Sequence, residues 1–184
     1  MARRKQGRRV KRQTQQSTDS SKDLEAQKDV PRAFVFSRGK VPGALKALVE
    51  NLKQVMSPNT ARALRSQKRN KLRDFVHVAG QLNVSFFLII SATDKAAYLR
   101  LVRSPRGPTL SFRIRSYTLA SDLAAMLRKP YSAGPGIWQS SPLLVLSGFD
   151  KEVQHQALMA TMLQNVFPTI KPDEVNKQTP PPPY

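Results

Sequence analysis

The chain has 184 residues, no cysteine, and a formal net charge of +19 from 31 lysines and arginines against 12 aspartates and glutamates. That length holds one domain with tails, and the lack of thiols excludes disulfides and cysteine-ligated metals. The charge makes a compact state self-repelling unless a polyanion shares it, nucleic acid first and an anionic membrane surface second; no run reaches the roughly 18–20 apolar residues of a membrane span.

Residues 1–30 are polar and aperiodic and read as a basic disordered tail, with a helical turn near "DLEAQK". The first twelve carry Arg3, Arg4, Lys5, Arg8, Arg9, Lys11 and Arg12 and no acid. They lack the apolar block of a secretory signal and the amphipathic face of a mitochondrial presequence. A nuclear import signal or a basic arm on nucleic acid remains. "AFVFS" predicts a strand over 33–37, and Pro42 suits the start of a helix. "ALKALVENLKQVM" sets Leu45, Leu48, Val49, Leu52, Val55 and Met56 on one helical face, and "SPN" stops it. Within the stretch 60–83, Leu72, Phe75, Val76, Ala79 and Leu82 recur at helical spacing and predict a second helix that ends near Gly80.

"VSFFLIIS" reads as a central strand buried on both faces. "KAAYLRLVRS" and "PTLSFRIRSYT" form a strand pair around "SPRGP", with Leu99, Leu101, Leu110, Phe112 and Ile114 alternating against polar positions. "LASDLAAMLRK" predicts a helix capped at Ser121 or starting a residue or two earlier. After a Gly/Pro/Ser loop at 130–141, "PLLVLSGF" predicts a further strand. The helix over 151–167 turns Val153, Leu158, Met162 and Val166 inward. Residues 172–184 form a proline-rich disordered tail. The order β, α, α, β, β, β, α, β, α predicts an α/β fold, a mixed sheet with flanking helices. Consecutive strands without intervening helices exclude a TIM barrel.

Catalytic chemistry has no candidates. His77 and His155 are lone histidines 78 residues apart and make no metal site by sequence. Asp173 and Glu174 are an adjacent, solvent-facing pair near the end. There is no nucleophile elbow, and "SRGKVPG" lacks the phosphate-loop spacing. No cofactor, metal or small-molecule substrate is expected.

The cations form three groups. Arg38 and Lys40 approach a helix N-terminus, where free N–H groups favour a phosphate; an ordinary strand-to-helix turn is the alternative. Arg62, Arg65, Lys68, Arg69, Lys71 and Arg73 put six cations within twelve positions beside one acid, Asp74. On a continuous helix, Arg62, Arg65 and Arg69 would line a stripe that tracks a sugar–phosphate backbone. In the hairpin, Arg113 and Arg115 are forced opposite the apolar face. Arg100 can join them, and Arg103 and Arg106 sit at a turn fixed by Pro105, Gly107 and Pro108. An arginine-only set suits bidentate phosphate contact; a basic edge that blocks sheet aggregation is the alternative. Tyr117, Tyr131 and Trp138 are stacking candidates or core-edge packers. "PPPPY" fits a WW-domain ligand pattern.

Five segments together carry a resemblance: "FVFSRG", "LVENLKQVMSPNTARALRSQKRNKLRDFVHVAGQLNVSFFLIIS", "RSPRGPTLSFRIRSYTL", "PLLVLSGF" and "LMATMLQNVFP". They are similar to the Brix-domain proteins, the Peter Pan branch above all, over about residues 32–170. Gly107 to Thr109 and residues 158–168 are the most specific parts. The resemblance implies a non-enzymatic nuclear and nucleolar factor for large ribosomal subunit assembly. It would bind precursor ribosomal RNA and other ribosome assembly proteins, with no membrane association. It implies two related α/β halves, similar to the anticodon-binding domain of some aminoacyl-tRNA synthetases. Arg38, Lys40, Arg103, Arg106 and Arg113 fall in matching segments. Residues 31–171 would be the N-terminal portion of the domain. Because the family's domain runs well past residue 170, a truncated product is expected. The alternative function is a protein-interaction module that docks other assembly factors, its charge serving nuclear localisation.

Overall fold

The computed structural model describes residues 30–64, 70–130, 134–139 and 142–168. The chain divides after Val30, and the described sheet and helices lie in the unit from Pro31 onward. Strand β1 (Arg32–Arg38) leads into helix α1 (Gly43–Val55) and helix α2 (Leu72–Gln81). Strands β2 (Val84–Ala92), β3 (Ala97–Arg103) and β4 (Thr109–Ile114) follow. Helix α3 (Ala120–Met126) and helix α4 (Gln154–Gln164) complete the elements, with a short 3₁₀ turn at Pro135–Gln139 between them.

The sheet runs β1-β2-β3-β4. The two-helix crossover makes β1 parallel to β2, and hairpins make β3 and β4 antiparallel to their predecessors. The fold is therefore α/β, a mixed four-stranded sheet with helices on both faces. On one face Ala33, Val35, Phe86, Leu88, Ile90 and Leu101 pack against Leu45 and Val49 of α1 and Met162 of α4. On the other, Phe34, Phe36, Phe87 and Ile89 pack against Phe75 and Ala79 of α2. The Phe36 and Phe75 rings stack at 4.2 Å between centroids. β2 is buried on both faces and paired on both edges, as its continuous apolar run implies. The outer edge of β1 is closed at Ala33, whose N–H donates to the Asn59 carbonyl at 2.9 Å. The Thr60 hydroxyl donates to the Ala33 carbonyl at 2.9 Å.

Three expectations are corrected, and one open alternative is decided. Among the described residues the second helix spans Leu72–Gln81 and does not reach back to Arg62; residues 61–64 make a turn in which the Leu64 N–H donates to the Ala61 carbonyl. Its apolar face is narrower than the spacing suggested, because Phe75 and Ala79 are buried while Val76 and Leu82 are exposed. Val55 of α1 and Leu158 of α4 are likewise exposed. "PLLVLSGF" forms no strand. Residues 142–147 keep the alternation, Leu144 and Leu146 half-buried against exposed Leu143 and Val145, but have no ladder partner among the described residues. Pairing, and not apolar content alone, makes a strand. In α3 the N-cap is Leu119 and no side chain caps the helix, so Ser121 lies inside it, the earlier of the two predicted starts.

One buried polar group stands out. Lys53 is 6% exposed on α1, and its ammonium donates to Glu50 Oε1 and to the Leu64 carbonyl, each at 2.9 Å. A charge taken out of water needs such partners. This one ties the 61–64 turn to α1.

Candidate nucleic-acid interface

The β3–β4 turn is closed by its own backbone. The Arg103 N–H donates to the Pro108 carbonyl and the Gly107 N–H to the Arg103 carbonyl, both at 3.1 Å; the Ser104 N–H reaches the Ser85 carbonyl at 2.8 Å. A Cβ on Gly107 would lie 2.5 Å from Cβ and 2.7 Å from Cγ of Arg103. Glycine is thus required because the side chain of Arg103 crosses it. The close approach at Gly107 is internal to the hairpin. The Arg103 guanidinium continues to 5.9 Å from the Phe86 ring centroid, a cation–π contact.

Register sorts the remaining hairpin arginines. Leu99 and Leu101 of β3 and Leu110 and Phe112 of β4 belong to the α1/α4 face. Their neighbours Tyr98, Arg100, Ser111 and Arg113 therefore share the α2 face. Arg103, two residues beyond Leu101, has the opposite parity. Cross-strand pairing then draws two rows over the α2 face. One is Arg38–Ser91–Tyr98–Arg113, from β1 to β4; the next is Phe36–Ile89–Arg100–Ser111. The apolar cluster under α2 ends at Phe36, Ile89 and Val102. Beyond it Arg38, Ser111 and Arg113 are exposed, and Ser91, Tyr98 and Arg100 are half-buried. The hairpin arginines thus divide, with Arg100 and Arg113 joining Arg38 on one face.

Arg106 at the turn and Arg115 just past β4 are exposed. Gly39 (φ +80°) turns the chain between exposed Arg38 and Lys40. The following helix begins without an acidic residue in its first turn and without a side-chain cap. Arg62 lies in the 61–64 turn and lines a shallow groove with Glu50 and Lys53. Residues 61–64 are a turn, so Arg62 does not stand on a helix; the stripe's other members, Arg65 and Arg69, lie outside the described residues. Lys71 and Arg73 are exposed at the start of α2. The nearby acid Asp74 accepts the Lys71 backbone N–H at 2.9 Å. Among the described residues the one salt bridge is Lys53–Glu50.

Arg65, Lys68, Arg69, the N-terminal cations Arg3 to Arg12, Tyr131, Asp173, Glu174 and the "PPPPY" tail lie outside the described residues. Of the other aromatics, Tyr117 is exposed and Trp138 half-buried in the 3₁₀ turn. His77 and His155 are exposed on separate helices. Among the described residues no group of acids and histidines could hold a metal, and no helix is long and apolar enough to cross a membrane. Sequence reasoning passed over Tyr98 and Ser91. The spacing "YLR" carries a signal, since Tyr98 and Arg100 share parity, but the four-strand row depends on register.

The family model for the Brix domain matches residues 39–179. The chain is 43% identical over 150 residues to the Peter Pan-like protein of Arabidopsis thaliana, covering 82% of this chain and 43% of that protein. It is 32% identical over 177 residues to ribosome biogenesis protein SSF2 of Saccharomyces cerevisiae, covering 89% of this chain and 39% of that one. It is 32% identical over 148 residues to the protein Peter pan of Drosophila melanogaster, covering 80% and 32% respectively. The chain thus spans less than half the length of each.

Proposed function

This chain belongs to the Brix-domain family, and on that premise we propose that it is a non-enzymatic factor in large ribosomal subunit biogenesis that binds precursor ribosomal RNA through its basic surface. A relative's name, ribosome biogenesis protein, supports the process. The observation that carries the RNA reading is the set of Arg38, Arg100, Arg106, Arg113 and Arg115 around the hairpin and β1 exit, none in a salt bridge among the described residues. Solvated basic faces usually interleave acids; this one does not, and guanidinium groups grip phosphates in a bidentate fork. The proposed partners are precursor ribosomal RNA and other assembly proteins, and the proposed place of action is the nucleolus. The N-terminal cations Arg3 to Arg12 serve nuclear import or RNA contact.

Combined reversal of Arg106, Arg113 and Arg115 to glutamate tests this reading. Binding of the full chain to a precursor ribosomal RNA fragment at moderate salt should be lost while the circular dichroism spectrum stays. Unchanged affinity would refute it. A second reading, a docking module for another assembly protein, is favoured by exposed Leu123, Met126, Leu127, Leu143 and Val145. Capture of assembly proteins that survives nuclease and is lost when Leu123 and Met126 become serine would support it.

A further inference from the structure

We propose that Tyr98 is a base-stacking platform for single-stranded RNA, with Arg38 and Arg113 holding the phosphates on either side and Arg100 beneath. This deepens the RNA-binding reading and rests on it. The row Arg38–Ser91–Tyr98–Arg113 crosses the whole sheet on one face, one residue per strand. With strands about 4.8 Å apart, its ends stand about 14 Å from each other. A four-stranded sheet of that width presents two or three bases to a single strand. The aromatic is interior to the row, directly paired with Arg113 on β4 and with Ser91 on β2. Arg100 lies in the adjoining row between Ile89 and Ser111. An aromatic ring among arginines and serines, outside the apolar cluster that ends at Ile89 and Val102, matches the chemistry of a strand that offers both a π-face and phosphates. Arg38, Arg100 and Arg113 have no acidic partner among the described residues. The adjoining β2–β3 turn adds one acid, Asp94, and one base, Lys95, which offset each other. An A-form duplex keeps its bases inward and gives the ring nothing to stack on, so the site is specific for single strands.

The test uses the full chain and a single-stranded twelve-nucleotide RNA containing one 2-aminopurine, with a duplex of the same sequence as control. Stacking should quench the 2-aminopurine on the single strand. Tyr98→Leu should abolish the quenching and weaken binding by roughly 5- to 150-fold with the salt slope unchanged, whereas Tyr98→Phe should keep both. Replacing Arg38 and Arg113 by glutamine should lower the salt slope by about 1.4. Should Tyr98→Leu fail to fold, photocrosslinking of 5-iodouracil RNA to the unaltered chain decides, with Tyr98 as the expected adduct. If the chain binds RNA but Tyr98→Leu binds equally tightly and no adduct forms on β3, the platform is overturned while the RNA reading stands. If the unaltered chain binds no RNA, both fall.

Discussion

Replacing Phe75 by alanine tests how α2 is held to the sheet. Phe75 is 8% exposed and its ring stacks on Phe36. Around it lie Phe34, Phe87 and Ile89, with Ala79 fully buried one turn on. Truncation removes the buried ring and leaves a cavity that the sheet side cannot fill, since strand backbones fix the neighbouring phenylalanines. Such changes cost about 3–5 kcal/mol, and the lost ring pairing is part of that sum. A domain has about 5–15 kcal/mol in all, so the variant gives up about a fifth or more of its stability. With a urea slope of about 2 kcal/mol/M, the unfolding midpoint falls by about 2 M. Val76→Ala is the matched control, because Val76 is the next residue on the same helix yet 37% exposed. Its cost should stay within about 0.5 kcal/mol. Helical spacing alone put both residues on the apolar face; only the packed structure separates them. Equal midpoint shifts for the two variants, or a shift below about 0.5 M for Phe75→Ala, would refute the packing described for α2.

Gly107→Ala should cost about 1–3 kcal/mol and lower the melting temperature, because the added carbon meets Arg103 Cβ, which cannot swing aside. Arg103→Ala in the same chain should restore little, since Cβ is retained, whereas Arg103→Gly should restore most of it. Lys53→Ala should cost about 2 kcal/mol through loss of the charge-assisted bond to the Leu64 carbonyl. Lys53→Met, which keeps the buried stem, should cost less, and both should speed hydrogen exchange at Leu64. Replacing Leu123 and Met126 by serine should leave the unfolding midpoint unchanged, because both lie exposed on α3.

Much of the architecture is legible in the residues because local periodicity and global burial agree. β2 reads as a doubly buried strand from its unbroken apolar run. The β3–β4 hairpin follows from the alternation about a Pro/Gly turn. What the sequence concealed depends on partners far along the chain. Residues 142–147 have strand composition and alternation but no neighbour to pair with among the described residues. Arg62 has helical spacing to Arg65 and Arg69, yet Lys53 draws the carbonyl of Leu64 onto α1 and residues 61–64 make a turn. The candidate site was half readable: parity places Arg100 opposite Leu99 and Arg113 opposite Phe112. Parity also sends Arg103 to the other face, but that Tyr98 stands between Ser91 and Arg113, and that the Arg103 side chain crosses Gly107, follow from register and from the geometry of the turn.

The proposed RNA binding rests on an arginine face, free of salt bridges among the described residues, meeting a phosphate chain. The salt dependence of full-chain binding to a single-stranded precursor ribosomal RNA fragment measures that most directly. If Arg38, Arg100, Arg106 and Arg113 each neutralise one phosphate, these four contribute about 3 to the log–log slope. A slope of at least that size, falling by about 3 when the four become glutamine, is the predicted result. Binding that is indifferent to salt, or a slope that the four substitutions leave in place, would contradict it.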